Sequence, residues 1–203
     1  MKFTGPKVKL SRRLGIPLTP KAARVMERKP YPPGAHGREK QFRRGRQSAY
    51  NEQLLEKQRL RSQYNVHEKQ MRKYYRKAIQ RAGSTPDNLI QQLETRLDAV
   101  VMRGGLAPTI YAARQYVNHG HITVNGKRVN IPSYNVRPGD LVSVRGKSAN
   151  LQMFKDAVEN GGFPPEYLDF GKDTMTITLL RYPTFDEVPV ICEISKVIEF
   201  YSR

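Results

Sequence analysis

The spacing of hydrophobic residues changes from helical to alternating close to residue 120 of this chain of 203 residues. Before that point apolar residues recur at helical spacing, as in the series Met71, Tyr74 and Ala78. After it, short alternating runs flank the pair Asn125-Gly126, a strong hairpin signal because both turn positions need a positive φ. The pattern therefore predicts an α+β fold, with a mainly helical part followed by a small antiparallel sheet.

Capping residues and helix breakers divide the chain into elements. Ser48 and Thr85 are typical N-caps, and Pro86 suits the first turn of a helix. Gly83 ends the preceding helix. The expected elements are helices over 49–64, 67–82, 86–103 and 110–118, a strand over 141–145, a helix capped by Ser148, and strands over 175–180 and 190–194.

Charge is distributed very unevenly along the chain. There are 36 Lys and Arg against 18 Asp and Glu, a net charge of +18. Residues 1–82 hold 23 basic and 5 acidic residues, whereas residues 148–203 hold 5 and 9. A field of this kind attracts polyanions, although a merely soluble surface is the alternative. Nucleic acid is favoured over an anionic membrane because the basic helices have no strongly apolar face.

Several protein classes are excluded by what the sequence lacks. Hydrophobic residues make up 38%, no stretch reaches the roughly 20 apolar residues that span a bilayer, and the first residues contain no signal-peptide core. Cys192 is the one cysteine, so no internal disulfide can form and we expect a cytosolic protein. We find no nucleotide-binding Gly-rich loop and no nucleophile–base set, so we expect neither an enzyme nor a small-molecule substrate.

The first 46 residues have a composition of their own. They combine Pro- and Gly-rich turns with basic runs and contain few apolar side chains. Such a segment has little to bury, so we expect an extended basic arm that becomes ordered only against a partner and follows its phosphates.

Four separated stretches resemble one known family. Residues 93–145 read LETRLDAVVMRGGLAPTIYAARQYVNHGHITVNGKRVNIPSYNVRPGDLVSVR and resemble the RNA-binding domain named after small-subunit ribosomal protein four. That domain also occurs in pseudouridine synthases, tyrosyl-tRNA synthetases and a small heat-shock protein. The flanking motifs resemble the bacterial ribosomal protein family itself, nearly end to end: YPPGAHG at 31–37, LLEKQRLRSQYNVHEKQMRKYY at 54–75 and VIEFYSR at 197–203. A modifying enzyme, the heat-shock relative and a nucleoid-type DNA binder are the alternatives.

The resemblance implies a domain plan and a set of roles. The plan is a basic extended arm over 1–46, a helical domain with C-terminal strands over 47–93 plus 148–203, and an inserted helix–turn–helix and small-sheet RNA-binding domain over 94–147. The implied location is the cytoplasm, in the small ribosomal subunit. The implied roles are binding a multi-helix rRNA junction, nucleating the subunit body, and contributing to translational accuracy and the mRNA entry channel. The implied partners are small-subunit ribosomal RNA, small-subunit ribosomal proteins five and three, and mRNA near the entry channel.

Basic and short polar side chains are the candidates for RNA contact, because they bind phosphates and Arg can bind two phosphate oxygens at once. In the arm and the helical domain the candidates are Lys7, Lys9, Arg12, Arg13, Arg43, Arg44, Arg46, Lys57, Arg61, Lys69, Arg72 and Arg76. In the inserted domain, on the two helices and the hairpin that the resembled family turns toward RNA, they are Arg96, Arg103, Arg114, Gln115, Asn118, His119, His121, Lys127 and Arg128.

Some residues have a structural alternative to an RNA contact. Tyr74 and Tyr75 can stack on bases, but their helical spacing favours the core. His119 and His121 flank a glycine, and a phosphate contact is favoured over a metal or acid–base pair because no third ligand is near in sequence.

Two acidic residues suit a supporting role. Glu94 and Asp98 lie one helical turn apart, within reach of Arg96 or Arg103. We interpret the two carboxylates as supports for these neighbouring guanidinium groups.

Many members of the resembled family bind zinc through four N-terminal cysteines. The positions of the first pair correspond here to Val8 and Ser11, and that of the last to Arg24. His36 alone cannot replace a tetrahedral set of four ligands. We therefore expect no bound metal and no other cofactor.

Overall fold

The computed structural model describes residues 3–42, 48–160 and 163–203. The chain divides into two compact units: unit 1 comprises residues 1–76 and 190–203, and unit 2 comprises residues 77–189. None of the helices within the described residues is long and apolar enough to cross a bilayer.

Across these described ranges the chain forms eleven α-helices and five β-strands, which confirms the expected α+β class. The helices are α1 (Lys7–Leu14), α2 (Pro20–Arg28), α3 (Gly37–Phe42), α4 (Ala49–Gln63), α5 (Glu68–Gln80), α6 (Thr85–Glu94), α7 (Leu97–Arg103), α8 (Ile110–Asn118), α9 (Gly146–Ala149), α10 (Gln152–Asn160) and α11 (Ile194–Ser202). The strands are β1 (Ile122–Val124), β2 (Lys127–Arg128), β3 (Leu141–Val144), β4 (Leu168–Gly171) and β5 (Thr176–Leu179).

Unit 1 is organised by the packing of α4 against α11. Ser48 caps α4 as predicted, because its hydroxyl accepts the N–H of Asn51 at 3.3 Å. Leu60 of α4 and Val197 of α11 are fully buried. Burial of such side chains contributes about 1.5–3 kcal/mol each, so two segments far apart in the sequence stabilise one shared core.

The N-terminal segment is not the extended arm that the sequence suggested. Residues 3–42 contain three helices, and Leu10, Leu14 and Ile16 are buried together, with Leu55 of α4 packed against them. The expectation was wrong because it weighed the number of apolar residues and not their spacing. Leu10 and Leu14 lie one turn apart on the same face of α1, which is enough for a small core. Three arm candidates lie outside the described residues: Arg43, Arg44 and Arg46.

Unit 2 contains a five-stranded antiparallel sheet with the strand order β2-β1-β3-β5-β4. The predicted hairpin is confirmed: Val124 pairs with Lys127 across Asn125 and Gly126, whose φ angles are 49° and 76°. Strand β5 confirms the strand expected over 175–180. Strand β2 therefore lies at one edge of the sheet with Lys127 and Arg128 exposed, whereas the side chains of β1 are buried.

The helix expected over 86–103 is broken into α6 and α7. At Arg96 the backbone is extended, with φ −67° and ψ 140°, and it bridges to Asn135. The N–H of Leu97 donates to the carbonyl of Tyr134 at 2.8 Å instead of to a helical carbonyl. A contact with a distant loop therefore overrides the local helical pattern.

The C-terminal part departs furthest from the expected elements. Ser148 lies inside α9 and does not cap a helix, and α10 begins at Gln152. The described residues form no strand over 190–194, because Ile194 already begins α11.

The compact units also group this part of the chain differently from the expected domains. Strands β4 and β5 extend the sheet that β1 and β3 begin. Residues 148–189 consequently share a unit with 94–147, and 190–203 fall in unit 1. The plan implied by the resemblance placed all of 148–203 with 47–93.

Candidate nucleic-acid interface

An exposed basic face runs along α5. Lys69, Arg72, Lys73 and Arg76 recur at helical spacing and are all exposed, whereas Met71 on the other side is fully buried. These four cations, which we name the α5 basic face, line an open groove of about 960 Å³. Lys73, which the candidate set omitted, completes the row. Cations in a row on a rigid helix can neutralise successive phosphates of an RNA backbone.

The tyrosines on the opposite side of α5 are core residues. Tyr74 and Tyr75 are 8% and 6% exposed, and the ring of Tyr75 lies 5.0 Å from that of Tyr201, measured between centroids. The spacing argument for packing over base stacking is confirmed. The tyrosines fix the rotation of α5 and thereby keep its basic face outward.

The carboxylate of Glu68 gathers three neighbours in unit 1. One oxygen lies 3.2 Å from the ammonium of Lys57 and 3.3 Å from the guanidinium of Arg61, and the other accepts the Tyr201 hydroxyl at 3.0 Å. Burial alone would raise the pKa of Glu68, but the Tyr201 hydrogen bond and the two positive charges hold it below its ordinary value of 4.5. The Lys57 side chain is 10% exposed and its ammonium lies 4.2 Å from the centre of the Phe200 ring. Lys57 is therefore a packing residue, which corrects its assignment to RNA.

Helix α1 presents two of its basic side chains and turns a third inward. Lys9 and Arg13 are exposed. The Nε of Arg12 donates to the carbonyl of Tyr31 at 3.1 Å, and its guanidinium lies 4.9 Å from the centre of the Tyr31 ring. Arg38 lies over the same ring at 5.3 Å, and its hydrogen bond lowers the pKa of Tyr31. Arg12 thus holds the YPPGAHG motif in place; it is half-buried, and its contact with phosphate stays a prediction.

A second exposed surface lies in unit 2, on α8 and the β1–β2 hairpin. We name it the helix–hairpin surface, and its exposed candidates are Gln115, His119, Lys127 and Arg128. Thr109 fixes the start of α8 by accepting the N–H of Ala112 at 3.2 Å. Gly120 follows α8 with φ 73°. The guanidinium of Arg128 occupies the space that a Cβ atom on residue 120 would need. The tight turn therefore brings the hairpin cation against the end of the helix.

A cluster of positive and titratable groups surrounds His121. Its Nδ1 lies 2.9 Å from the hydroxyl of Ser148, and its ring centroid lies 5.9 Å from that of His119. Burial, followed by the charges of His119, Arg128 and Arg145, lowers the pKa of His121. The positive charges of Arg128 and Arg145 suit an anion better than a cation at this cluster. No group of three or more potential metal ligands occurs among the described residues. Arg145 was not among the candidates, because pairing within the sheet brings it here and no local signal marks it.

Two further candidates belong to the interior of unit 2, and the first is Arg96. It is 1% exposed, and its Nε and Nη2 donate to the two oxygens of Asp98 at 2.9 and 2.6 Å. Burial raises the pKa of Asp98, while the charges of Arg96 and then Arg114, 3.8 Å away, lower it. Arg96 is therefore a structural residue, and its assignment to RNA was wrong.

The second interior candidate is Arg103. It donates to both oxygens of Glu94 at 2.9–3.2 Å, and the Tyr167 hydroxyl donates to the same carboxylate at 3.0 Å. Burial and the Glu94 charge raise the pKa of Tyr167, so its hydroxyl remains a donor. The interpretation of Glu94 and Asp98 as supports is confirmed, and Arg103 is corrected from RNA contact to core ion pair. The remaining candidates are half-buried: Lys7, Arg61, Arg114, Asn118 and His121.

The chain belongs to the class of proteins that contain an S4 domain. The family model of the S4 domain matches residues 95–142, and that of the ribosomal protein S4/S9 N-terminal domain matches residues 2–94. Small ribosomal subunit protein uS4 of Thermobifida fusca is 47% identical over the whole of both chains. The uS4 proteins of Streptomyces griseus (49% identical over 98% of this chain and 97% of the relative) and Granulibacter bethesdensis (50% over 97% of each) are similar as well. The chain belongs to the uS4 family.

Proposed function

We propose that this chain is a structural, non-enzymatic constituent of the small ribosomal subunit, and that it binds ribosomal RNA through the α5 basic face and the helix–hairpin surface. One observation carries the proposal: cations and polar groups are exposed on a rigid element in each unit of a chain that matches uS4 proteins from end to end. The relatives are named as ribosomal proteins and not as enzymes.

Phosphate neutralisation accounts for the affinity we propose. Each contact between a cation and a phosphate releases counterions, so log K falls by roughly 0.7–0.9 per contact for a tenfold rise in salt. Side chains cannot read the deep, narrow major groove of double-stranded RNA, so backbone positions and 2′-hydroxyls carry the recognition. The capped helix α8 and the tight β1–β2 hairpin hold their cations in place. This arrangement favours an RNA whose backbone has a matching shape over an arbitrary polyanion.

The RNA target we propose is a multi-helix junction of the small-subunit rRNA, bound early so that it nucleates the body of the subunit. A junction presents several helices at once. Separate basic surfaces in the two units suit contact with more than one of these helices. Contributions to translational accuracy and to the mRNA entry channel, beside small-subunit ribosomal proteins five and three, rest on the family resemblance.

The test is binding to an rRNA fragment that contains the junction, beside an unrelated RNA of equal length, across a salt series. We expect the margin over the unrelated RNA to persist at high salt, because shape recognition does not depend on counterion release alone. Equal and steeply salt-dependent binding to both RNAs would reduce the chain to a general polyanion binder and overturn the assembly role.

A further inference from the structure

A small cleft opens beside the first turn of α1, within unit 1. Its volume is about 220 Å³, below the roughly 300–1,000 Å³ of pockets that enclose drug-sized ligands. Its walls are mostly apolar and two cations stand beside them: the lining residues are Phe3, Pro6, Lys9, Leu10, Arg13 and Pro33. The cleft therefore has room for one small flat group and no more.

The aromatic wall is held in a defined position. Phe3 is 41% exposed, and its Cζ lies 2.8 Å from where a side chain on Gly5 would begin. Because residue 5 is glycine, the ring of Phe3 folds back over the backbone with part of its surface open to solvent. Pro6 and Pro33 supply stiff apolar walls beside it.

The two cations give the cleft a preference for a negatively charged ligand. Lys9 and Arg13 lie one helical turn apart and are exposed. No carboxylate in the described part of the chain forms an ion pair with either side chain. Their charge therefore stays available to an anion bound beside the apolar walls.

We propose that this cleft stacks one unpaired nucleobase of the bound RNA against Phe3, while Lys9 and Arg13 hold the adjoining phosphates. A nucleotide combines a flat apolar ring with a neighbouring negative charge, which is the combination that the cleft presents. Structured RNA exposes such bases in loops, bulges and junctions, and aromatic side chains bind them by stacking. The proposal rests on the proposed RNA-binding function and adds base recognition to its phosphate contacts.

The test measures the affinity of the full chain for the junction RNA across a salt series, for the wild type and three variants of Phe3. Phe3→Ala and Phe3→Leu should weaken binding about 5- to 150-fold, the range for loss of one stacked base, with an unchanged salt slope. Phe3→Tyr keeps the flat ring and should bind like the wild type. Because Phe3 is exposed, all three should unfold at the wild-type temperature.

A matched charge variant separates stacking from phosphate binding. Lys9→Gln should make the slope of log K against log salt concentration shallower by about one, whereas the Phe3 variants should leave this slope unchanged. If Phe3→Leu binds like the wild type, the ring serves only as apolar bulk, and if Phe3→Ala does so as well, the cleft holds no base. Either result overturns the stacking proposal. The RNA-binding function itself fails separately, when the wild type does not prefer the junction RNA.

Discussion

The α5 basic face of unit 1 and the segment around α6 and α7 in unit 2 place their basic side chains at different depths. In unit 1 the α5 basic face is exposed, and Glu68 is itself partly exposed beside Lys57 and Arg61. In unit 2 Arg96 and Arg103 are drawn inside to carboxylates that are 0–1% exposed. A guanidinium group is therefore exposed and available to a phosphate on the α5 basic face, whereas at Arg96 it is part of the interior.

Because of this difference, exposed cations are expected to affect RNA affinity and buried cations the free energy of unfolding. An exposed ion pair contributes about 0–1 kcal/mol, whereas breaking a buried pair by removing one partner costs about 3–5 kcal/mol. Substitution of a basic residue should therefore affect RNA binding on the α5 basic face and folding at the α6–α7 junction. Basic character alone predicts neither outcome, and depth decides between them.

The largest expected effect is at the buried pair of unit 2. Arg96→Met leaves the carboxylate of Asp98 buried, with Arg114 3.8 Å away. We expect the free energy of unfolding to fall by about 3–5 kcal/mol, measured by urea denaturation. Arg137→Met, at an exposed position of the same unit, should change it by no more than about 0.5 kcal/mol. A loss below about 1 kcal/mol for Arg96→Met would erase the contrast between the units.

The next effect concerns the α5 basic face. Combining Lys69→Gln, Arg72→Gln and Arg76→Gln removes three exposed charges. We expect the salt slope for the junction RNA to become shallower by roughly 2–3, with the unfolding transition nearly unchanged.

A variant of equal charge removal controls for net charge. Lys155→Gln, Lys172→Gln and Arg203→Gln change exposed residues outside both proposed surfaces. This variant should keep the wild-type salt slope. If the two triple variants bind alike, binding follows the total charge and the α5 basic face has no special part in it.

A smaller effect should appear in acid. The pKa of Glu68 lies below its ordinary value of 4.5 in the folded chain, so the unfolded chain takes up the proton more readily. The stability that Glu68 contributes is therefore complete above pH 4.5 and is lost as the pH falls through its folded pKa. In Glu68→Gln the free energy of unfolding should fall less as the pH is lowered, measured by unfolding curves at a series of pH values. Glu27→Gln, exposed in the same unit, should leave it as in the wild type.

The smallest expected effect is that of a chelator on unit 1. Leu10, Leu14 and Ile16 form a small core there, and Arg12 fastens Tyr31. We expect metal analysis of the pure protein to find no stoichiometric zinc, and EDTA to leave the unfolding temperature unchanged. One zinc per chain, or a drop in that temperature, would contradict this account of the N-terminal segment.

Features that depend on near neighbours could be predicted from the sequence. Asn125 and Gly126 make the hairpin because each tolerates a positive φ. Ser48 caps α4 through an amide three residues on, and the helical spacing of Tyr74 and Tyr75 turns both rings into the core. The α5 basic face was found by the same reasoning, because its cations occupy the side of the helix opposite the apolar stripe.

Tertiary structure alone decided which basic residues remain on the surface. Lys57 is covered by Phe200 and Arg103 by Glu94, and the Tyr167 hydroxyl, 73 residues further along the chain, holds that carboxylate. Tertiary structure likewise determines that β4 and β5 join the sheet and that a small core forms beneath α1. The physical reason is that a helix or turn is set by dihedral angles and hydrogen bonds within a few residues. The depth of a charge is set instead by side chains that folding brings from far along the chain.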